Sequence, residues 1–353
     1  MIAWPTVWAW ANEPQPSGRY RRLKVLILKP SSLGDVVHAL PVLRVLKQAH
    51  PGARVHWWIE ERLAPLLEGD SELEAIHLFK RRDWRTPGGV LRGLETAWRL
   101  RRERFDWVVD LQGLARSAWF GWLTRGAMTA GVDSGREGAR GLYDVAVRRP
   151  SENTHAVDWN LAVLKAMRVE ARGDFEWIQK RTGETVVPES DGRWVVFCPG
   201  ARWPNKRWPV EHFAKLGADL LAGDDSLQVA VLGDGEDAEA GEIIAKSARG
   251  RCKNLAGKTT IPEMVDWLRC AQVVVANDSG PLHVAVALER PVVALYGPTH
   301  AGRTGPYHRE EDVMRAELPC APCMMAGCAH EVERECLRVI TPAAVAAQVR
   351  LRM

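Results

Sequence analysis

The sequence predicts an α/β protein made of two Rossmann-like, doubly wound domains, and three observations lead there. Short apolar runs suited to buried strands alternate with helical patterns along the 353-residue chain, as in parallel sheets with crossover helices. The alternation pauses once, over residues 169–192, where Gly173, Gly183, Pro188 and Gly192 stand among scattered charges, and then restarts. Each half also carries a strand that runs into a glycine-bearing turn with an aspartate. In the first half Lys29-Pro30-Ser31-Ser32-Leu33-Gly34-Asp35 follows Val25–Leu28; in the second, Asn277-Asp278-Ser279-Gly280-Pro281-Leu282-His283 follows Val273–Ala276. A turn of this kind puts backbone N–H groups and a carboxylate at the carboxyl edge of a parallel sheet, where such sheets bind ligands. Two such edges suggest two facing domains with chemistry in the cleft.

The strand candidates of the first half are Lys24–Lys29, Arg54–Ile59, Ala75–Phe79 and Trp107–Leu111, with helices near Val36–Ala49, Arg62–Leu67, Val90–Arg102 and Leu114–Trp122. Pro41 either kinks the first helix or marks its true start. Residues 132–154, rich in Gly and Arg, read as a loop, and a helix follows over His155–Met167. The second half reads as Trp194–Cys198, helix Val210–Leu221, Gln228–Leu232, helices Glu236–Ala248 and Pro262–Cys270, Val273–Ala276, Val292–Tyr296 and a closing helix Pro342–Arg350. The predicted organisation is an appendage (1–22), an N-terminal domain (23–170), a linker (171–192) and a C-terminal domain (193–353).

Composition narrows the function classes. With 46% hydrophobic and 26% charged residues and a net charge of +4, the chain is globular and mild for a nucleic-acid binder. Two local runs are more basic, Lys80–Arg85 and Arg99–Arg104. They suit an anionic surface or substrate, or simply solvated faces, and the second also fits a helix end where cations complement the dipole. No apolar stretch approaches the roughly 20 residues that span a bilayer. The opening segment, with Trp4, Trp8 and Trp10, lacks the basic start of a secretory signal. Its tryptophans suit a membrane interface or packing on the domain. Neither G-x-G-x-x-G at the first turns nor a P-loop pattern is present, which lowers the weight of nicotinamide, flavin and P-loop nucleotide classes.

Five stretches in order resemble one family: Lys29–His38 (KPSSLGDVVH), Trp57–Leu63 (WWIEERL), Asp110–Ser117 (DLQGLARS), Phe197–Pro209 (FCPGARWPNKRWP) and Asn277–Ala285 (NDSGPLHVA), the last continuing to Leu295–Thr299 (LYGPT). On these the chain resembles the ADP-heptose:lipopolysaccharide heptosyltransferases, glycosyltransferase family 9. The resemblance implies the GT-B architecture, ADP-heptose as donor, a lipopolysaccharide inner-core acceptor and inverting transfer. The N-terminal stretches, with Arg136 in Ser-Gly-Arg-Glu-Gly, are more similar to type I, whereas Pro199-Gly200-Ala201 and the late cysteines are more similar to type II. The acceptor therefore stays open between the two.

Sugar transfer from a nucleotide diphosphate needs a base for the acceptor hydroxyl and charge stabilisation for the leaving group. Asp35, behind a glycine at a strand-to-helix turn, is the base candidate, and the resemblance puts the family's catalytic aspartate there; an aspartate at such a turn also commonly caps a helix. Lys206 is the candidate for the departing diphosphate, with Arg202 and Arg207 as neighbours. Ser32 and Gly34, and the amides of Ser279, Gly280 and Leu282 at a helix N-terminus, complete a donor-binding set. Asp278 is expected to cap that helix and shape the donor site, and His283 to donate to phosphate or serve as a structural histidine. The resemblance implies ribose binding at Glu236 and an adenine wall at Thr259. For the acceptor the candidates are Glu60, Arg62, Arg81, Arg82, Arg116 and Arg136, the arginines suiting its sugar carboxylates and phosphates.

Seven cysteines include Cys320, Cys323, Cys328 and Cys336, whose first pair has zinc-knuckle spacing without a standard second pair. Structural metal, disulfides and reduced thiols all stay open there, and no cofactor or catalytic metal is expected. Cys198, Cys252 and Cys270 are expected to pack in the core. The resulting expectation is a cytoplasmic, monomeric heptosyltransferase at the inner face of an anionic inner membrane, with no nucleic-acid partner. The alternatives are a family 9 enzyme with another donor or acceptor, or a non-catalytic sugar-nucleotide-binding protein; the presence of both Asp35 and Lys206 argues against the last.

Overall fold

A computed structural model describes residues 22–80, 86–170, 174, 176–179, 193–248 and 250–353. These form two compact units. The first holds the described residues up to Ser31, Ala39–Pro150 and those from Trp159 to 174; the second holds Ser32–His38, Ser151–Asp158 and those from Glu176 to Met353. The appendage, Arg81 and Arg82, and most of the linker lie outside the described residues.

The first unit is a six-stranded sheet in the order β3-β2-β1-β4-β5-β6, with β1 Lys24–Leu28, β2 Arg54–Glu60, β3 Leu73–Phe79, β4 Trp107–Asp110, β5 Met128–Asp133 and β6 Val145–Arg148. Every pairing is parallel. Helices α2 (Leu40–Ala49), α3 (Pro87–Arg101) and α4 (Ala115–Thr124) supply crossovers, α5 (Ala156–Ala166) follows the last strand, and the central strand β1 is buried on both faces. Leu26, Leu28, Trp58, Ala97, Leu100, Phe105, Val108 and Phe120 make one core layer between the sheet and α3 and α4. Strands β5 and β6 correct the loop expected over residues 132–154. Four-residue β6 is only half-buried, so it lacks the continuous apolar run that marks an interior strand.

The helix expected over Val36–Ala49 is two helices. α1 (Leu33–Val37) ends at His38, and α2 starts at Leu40 with Pro41 in its first turn, where the missing N–H costs nothing. The break separates the units: α1 belongs with the second and α2 with the first.

The second unit repeats the topology in the order β12-β11-β10-β7-β8-β9. Its strands are β7 Arg193–Cys198, β8 Leu227–Val231, β9 Cys252–Asn254, β10 Val273–Asn277, β11 Val292–Tyr296 and β12 Val313–Arg315, again all parallel. Its helices are α6 Val210–Gly223, α7 Ala238–Ser247, α8 Ile261–Cys270, α9 Gly280–Ala287, α10 Ala301–Thr304, α11 Glu335–Arg338 and α12 Pro342–Arg352. In both sheets the first strand lies between the second and the fourth, so the strand order reverses beside it; crevices at that point are where doubly wound sheets bind ligands. Among the described residues no helix is long and apolar enough to cross a membrane.

Candidate active site

In the second unit the crevice at the switch point lies beyond the ends of β7 and β10. Asn277, fully buried as the last residue of β10, ties the two strand ends together. Its Oδ1 accepts from the Trp208 backbone N–H at 3.0 Å and its Nδ2 donates to the Pro199 carbonyl at 2.6 Å. The loop from Pro199 to Trp208 is therefore anchored at both ends, and Lys206, two residues before the second anchor, reaches the residue that follows β10.

Lys206 Nζ donates to Asp278 Oδ2 at 2.6 Å and sits 4.6 Å from the centroid of the Trp203 ring. Asp278 is buried. Thr299 Oγ1 donates to its Oδ2 at 2.7 Å, the Tyr296 hydroxyl lies 3.2 Å from its Oδ1, and His283 Nε2 lies 3.5 Å from the same oxygen. Burial alone would raise the pKa of this carboxyl, but the His283 hydrogen bond and the Lys206 charge outweigh it and hold the group well below the ordinary carboxylate range. The expectation that Asp278 caps α9 is thus corrected: the cap position is Ser279, and Asp278 is the anionic centre of a buried network that fixes Lys206. Tyr296 and Thr299 complete that network. Both stand in a motif read from the sequence, yet nothing in the residue order gave them this role.

The N-terminus of α9 carries two buried side-chain atoms without a hydrogen-bond partner among the described residues. Ser279 Oγ makes no capping bond, and His283 Nδ1 is also unpaired. Pro281 has no N–H, so the amides of Gly280 and Leu282 are the donors of the first turn. A helix end with first-turn amides, an uncapped hydroxyl and a lysine beside it has the chemistry to hold an anion.

Asp35 belongs to this unit through α1. It stands at the third position of the helix, and its Oδ2 accepts from the Ser32 backbone N–H at 2.9 Å and from the Ser32 hydroxyl at 2.7 Å. The carboxylate is half-exposed. Two glycines bring α1 against α9. A Cβ on Gly34 would overlap the His283 ring, and one on Gly280 would lie 2.7 Å from Leu33 Cδ2. Ser32, Gly34 and Asp35 are therefore packed directly on the helix that carries Gly280 and His283. His38, buried at the end of α1, extends the contact: its ring centroid lies 4.4 Å from that of His283 and 5.2 Å from that of His155. These two histidines were not singled out in the sequence. Gly34→Ala is expected to cost about 1–3 kcal/mol through overpacking and to lower turnover with secondary structure intact. Thermal unfolding and a rate assay check this, and wild-type values in both would contradict the packing argument.

The other donor candidates lie along the same edge. Arg202 is exposed, and Arg207 bridges the loops after β7 and β8: its Nε donates to the Ala201 carbonyl at 2.9 Å, and its guanidinium lies 3.8 Å from Glu236 and 3.9 Å from Asp237. Glu236 projects into solvent, whereas Asp237 is buried in a space that Gly200 and Gly233 leave open. Burial first, and then the neighbouring Asp234, raise the Asp237 pKa. Thr259 is half-buried in the turn before α8.

In the first unit Glu60 is buried at the end of β2 and accepts an ion pair from exposed Arg62 at 2.8 Å. Arg116 is exposed on α4. Arg136 is exposed at the mouth of a cavity of about 430 Å³, which Asp133, Arg140 and Arg148 also line. Arg148 Nε donates to Asp133 Oδ2 at 3.3 Å. The structure thus adds Arg140 and Arg148 to the arginines read from the sequence.

All seven cysteines are free. Cys198 is buried, as expected of a packing thiol, but Cys270, the last residue of α8, is exposed and Cys252 is half-buried, which corrects the core placement expected for both. Cys320, Cys323 and Cys328 are exposed and Cys336 is buried. Burial first, and then these neighbouring thiols, push the Cys336 pKa up. Among the described residues no group of three or more His, Cys, Asp or Glu side chains is arranged to hold a metal ion.

Comparison with known proteins identifies the family. The sequence pattern of glycosyltransferase family 9 (heptosyltransferase) matches residues 94–332. The chain belongs to glycosyltransferase family 9. Among its relatives, lipopolysaccharide heptosyltransferase 2 of Salmonella typhimurium is 31% identical over 316 residues, covering 83% of this chain and 88% of the relative. Lipopolysaccharide heptosyltransferase 1 of Pseudomonas aeruginosa is 28% identical over 334 residues, covering 89% of each. The structure of E. coli heptosyltransferase WaaC with ADP-2-deoxy-2-fluoro heptose superposes with a TM-score of 0.72 at 25% identity, over 94% of this chain and 100% of that one. The two doubly wound units are the GT-B architecture of family 9, and types 1 and 2 are matched at similar identity.

Proposed function

We propose that this family 9 glycosyltransferase moves heptose from ADP-heptose to the inner core of lipopolysaccharide with inversion at the transferred carbon. One observation carries the assignment of roles: α1, bearing Asp35, is packed through Gly34 and Gly280 on the α9 N-terminus, whose amides and the adjacent Lys206 make an anion site. A carboxylate and a diphosphate site so juxtaposed can act on the two ends of one displacement.

In the proposed reaction Asp35 takes the proton from the acceptor hydroxyl as that oxygen attacks the anomeric carbon. The carbon–oxygen bond to the diphosphate breaks on the opposite face, and ADP leaves. Lys206 gives one of its three N–H donors to Asp278 and keeps others for the departing phosphate. Because Asp278 offsets the lysine charge, the helix end, worth about half a positive charge, supplies the net attraction. Ser279 Oγ, buried and without a partner among the described residues, is a further donor to the nucleotide. Glu236 is assigned to the ribose and Thr259 to the adenine. On the acceptor side Glu60 orients Arg62, and Arg116 and Arg136 meet sugar carboxylates or phosphates.

The protein is proposed to act as a monomer on the cytoplasmic face of an anionic membrane, without a metal. Turnover after dialysis against EDTA is expected to equal the untreated rate, and a loss restored by a divalent cation would contradict this. A screen of nucleotide sugars with truncated lipopolysaccharide acceptors, followed by mass spectrometry, tests the activity itself. Heptose transfer from ADP-heptose is the expected product; transfer from another donor alone would replace the donor assignment.

A further inference from the structure

Helices α3 and α4 pack side by side over one face of the first sheet and bury Ala97, Leu100 and Phe120 beneath them. Their outer faces carry apolar residues that the fold leaves in solvent: Leu91 and Trp98 are each 61% exposed, Trp122 49% and Trp119 39%. Exposed tryptophans concentrated on two adjoining helices are unusual for a soluble surface, because each ring gives up a large apolar area that burial would remove from water.

The charges around them are predominantly basic, with exposed Glu95 on α3 and exposed Glu137, which accepts from the Ala115 backbone N–H at 3.1 Å, as the acidic exceptions. On α4 Arg116, Trp119 and Trp122 are exposed at intervals of three, and exposed Arg125 is the residue that caps its end. At the end of α3, Arg99, Arg101 and Arg102 are exposed, and the Arg102 guanidinium lies 5.2 Å from the centroid of the Trp98 ring. Glu95 is the one carboxylate within the two helices. The basic run Arg99–Arg104, which suited either an anionic partner or a solvated helix end, thus flanks an aromatic surface.

We infer that the outer face of α3 and α4 is a docking surface for an anionic phospholipid bilayer, lying on the headgroup layer with its tryptophans at the interface. Amphipathic indole rings favour the boundary between headgroups and acyl chains, and arginines beside them are drawn to anionic lipid. Arginine stacked on Trp98 can meet a phosphate without leaving the ring. The inference deepens the reading of a lipid-linked acceptor, since an enzyme held on the bilayer meets that substrate by diffusion in two dimensions.

Vesicle co-sedimentation of the full chain tests it and requires no sugar transfer, so a failed activity screen and a failed docking surface are separate results. Vesicles of phosphatidylglycerol and phosphatidylethanolamine are compared with pure phosphatidylcholine. Wild type is expected to bind the anionic vesicles preferentially and to weaken as salt rises. Trp98→Ser/Trp122→Ser and, separately, Arg101→Glu/Arg102→Glu are expected to bind at least about tenfold more weakly, with unchanged circular dichroism and unchanged ADP affinity. Substitution of Trp4, Trp8 and Trp10 by serine is expected to leave most of the binding. Equal binding by wild type and both double variants overturns the inference. So does loss on substituting the N-terminal tryptophans alone, or a Trp98→Ser/Trp122→Ser variant that changes only the oligomeric state.

Discussion

Asp35→Asn is expected to lower kcat by about 10²–10⁴-fold, the usual contribution of a general base, while the affinity for ADP-heptose stays near wild type. The geometry gives the reason for both halves. The amide keeps an oxygen that accepts the Ser32 N–H and hydroxyl bonds at 2.9 and 2.7 Å, so α1 holds its first turn and its seat on α9. What the amide lacks is the capacity to take a proton. Single-turnover rates with titration calorimetry for the donor separate the two effects. A variant that turns over at the wild-type rate would leave Asp35 with capping alone, and one that loses donor affinity in proportion to rate would make it a binding residue.

Lys206→Ala is expected to have the second large effect, and on two properties. Loss of a preorganised donor to a developing anion typically lowers kcat by about 10²–10³-fold, and donor affinity should weaken with it. The fold should suffer as well. The pair has side-chain exposures of 17% and 6%, so removing the lysine leaves Asp278 buried without its cation, a change that typically costs about 3–5 kcal/mol. Lys206→Ala/Asp278→Asn should recover much of the stability and little of the rate, and denaturant unfolding with kinetics on the same samples checks this. The pair also has a defined pH dependence. Asp278 has its pKa depressed in the folded state. Its contribution to stability is therefore fully present above its unfolded pKa of about 3.9 and is lost as pH falls towards the folded value. The stability gap between wild type and Asp278→Asn should be constant near neutral pH and should shrink below about pH 3.9.

Much of this architecture was legible in the residue order because buried parallel strands leave a strong mark. Val25–Leu28, Val273–Ala276 and Val292–Tyr296 are uninterrupted apolar runs, and all three are interior strands. Strands that were not seen lack that mark. β6 is half-buried, β9 and β12 have three residues each, and a Gly-rich stretch follows β5. The break between α1 and α2 was half-legible, since Pro41 announced it. That the fragment before the break packs with the other unit was not, because the contact rests on Gly34 and Gly280 fitting each other's neighbours across a long separation in sequence.

The candidate site follows the same division. Asp35, Lys206 and Ser279–His283 could be named because their chemistry sits at strand ends, a place that sequence pattern reveals. The partners of Asp278 could not, since Lys206, Thr299 and Tyr296 reach it from 72, 21 and 18 residues away. A carboxylate in a glycine turn looks like a helix cap when read alone; it becomes the holder of a lysine only when three strand ends converge. Cys270 shows the reverse error, an apolar context along the chain that still leaves the last residue of a helix in solvent.

A crystal structure of Asp35→Asn with ADP-heptose tests the central claim most directly. The account predicts the diphosphate on Lys206 Nζ and the Ser279, Gly280 and Leu282 amides, with the anomeric carbon turned towards residue 35. A diphosphate bound away from the α9 N-terminus, or an anomeric carbon facing away from residue 35, would contradict it.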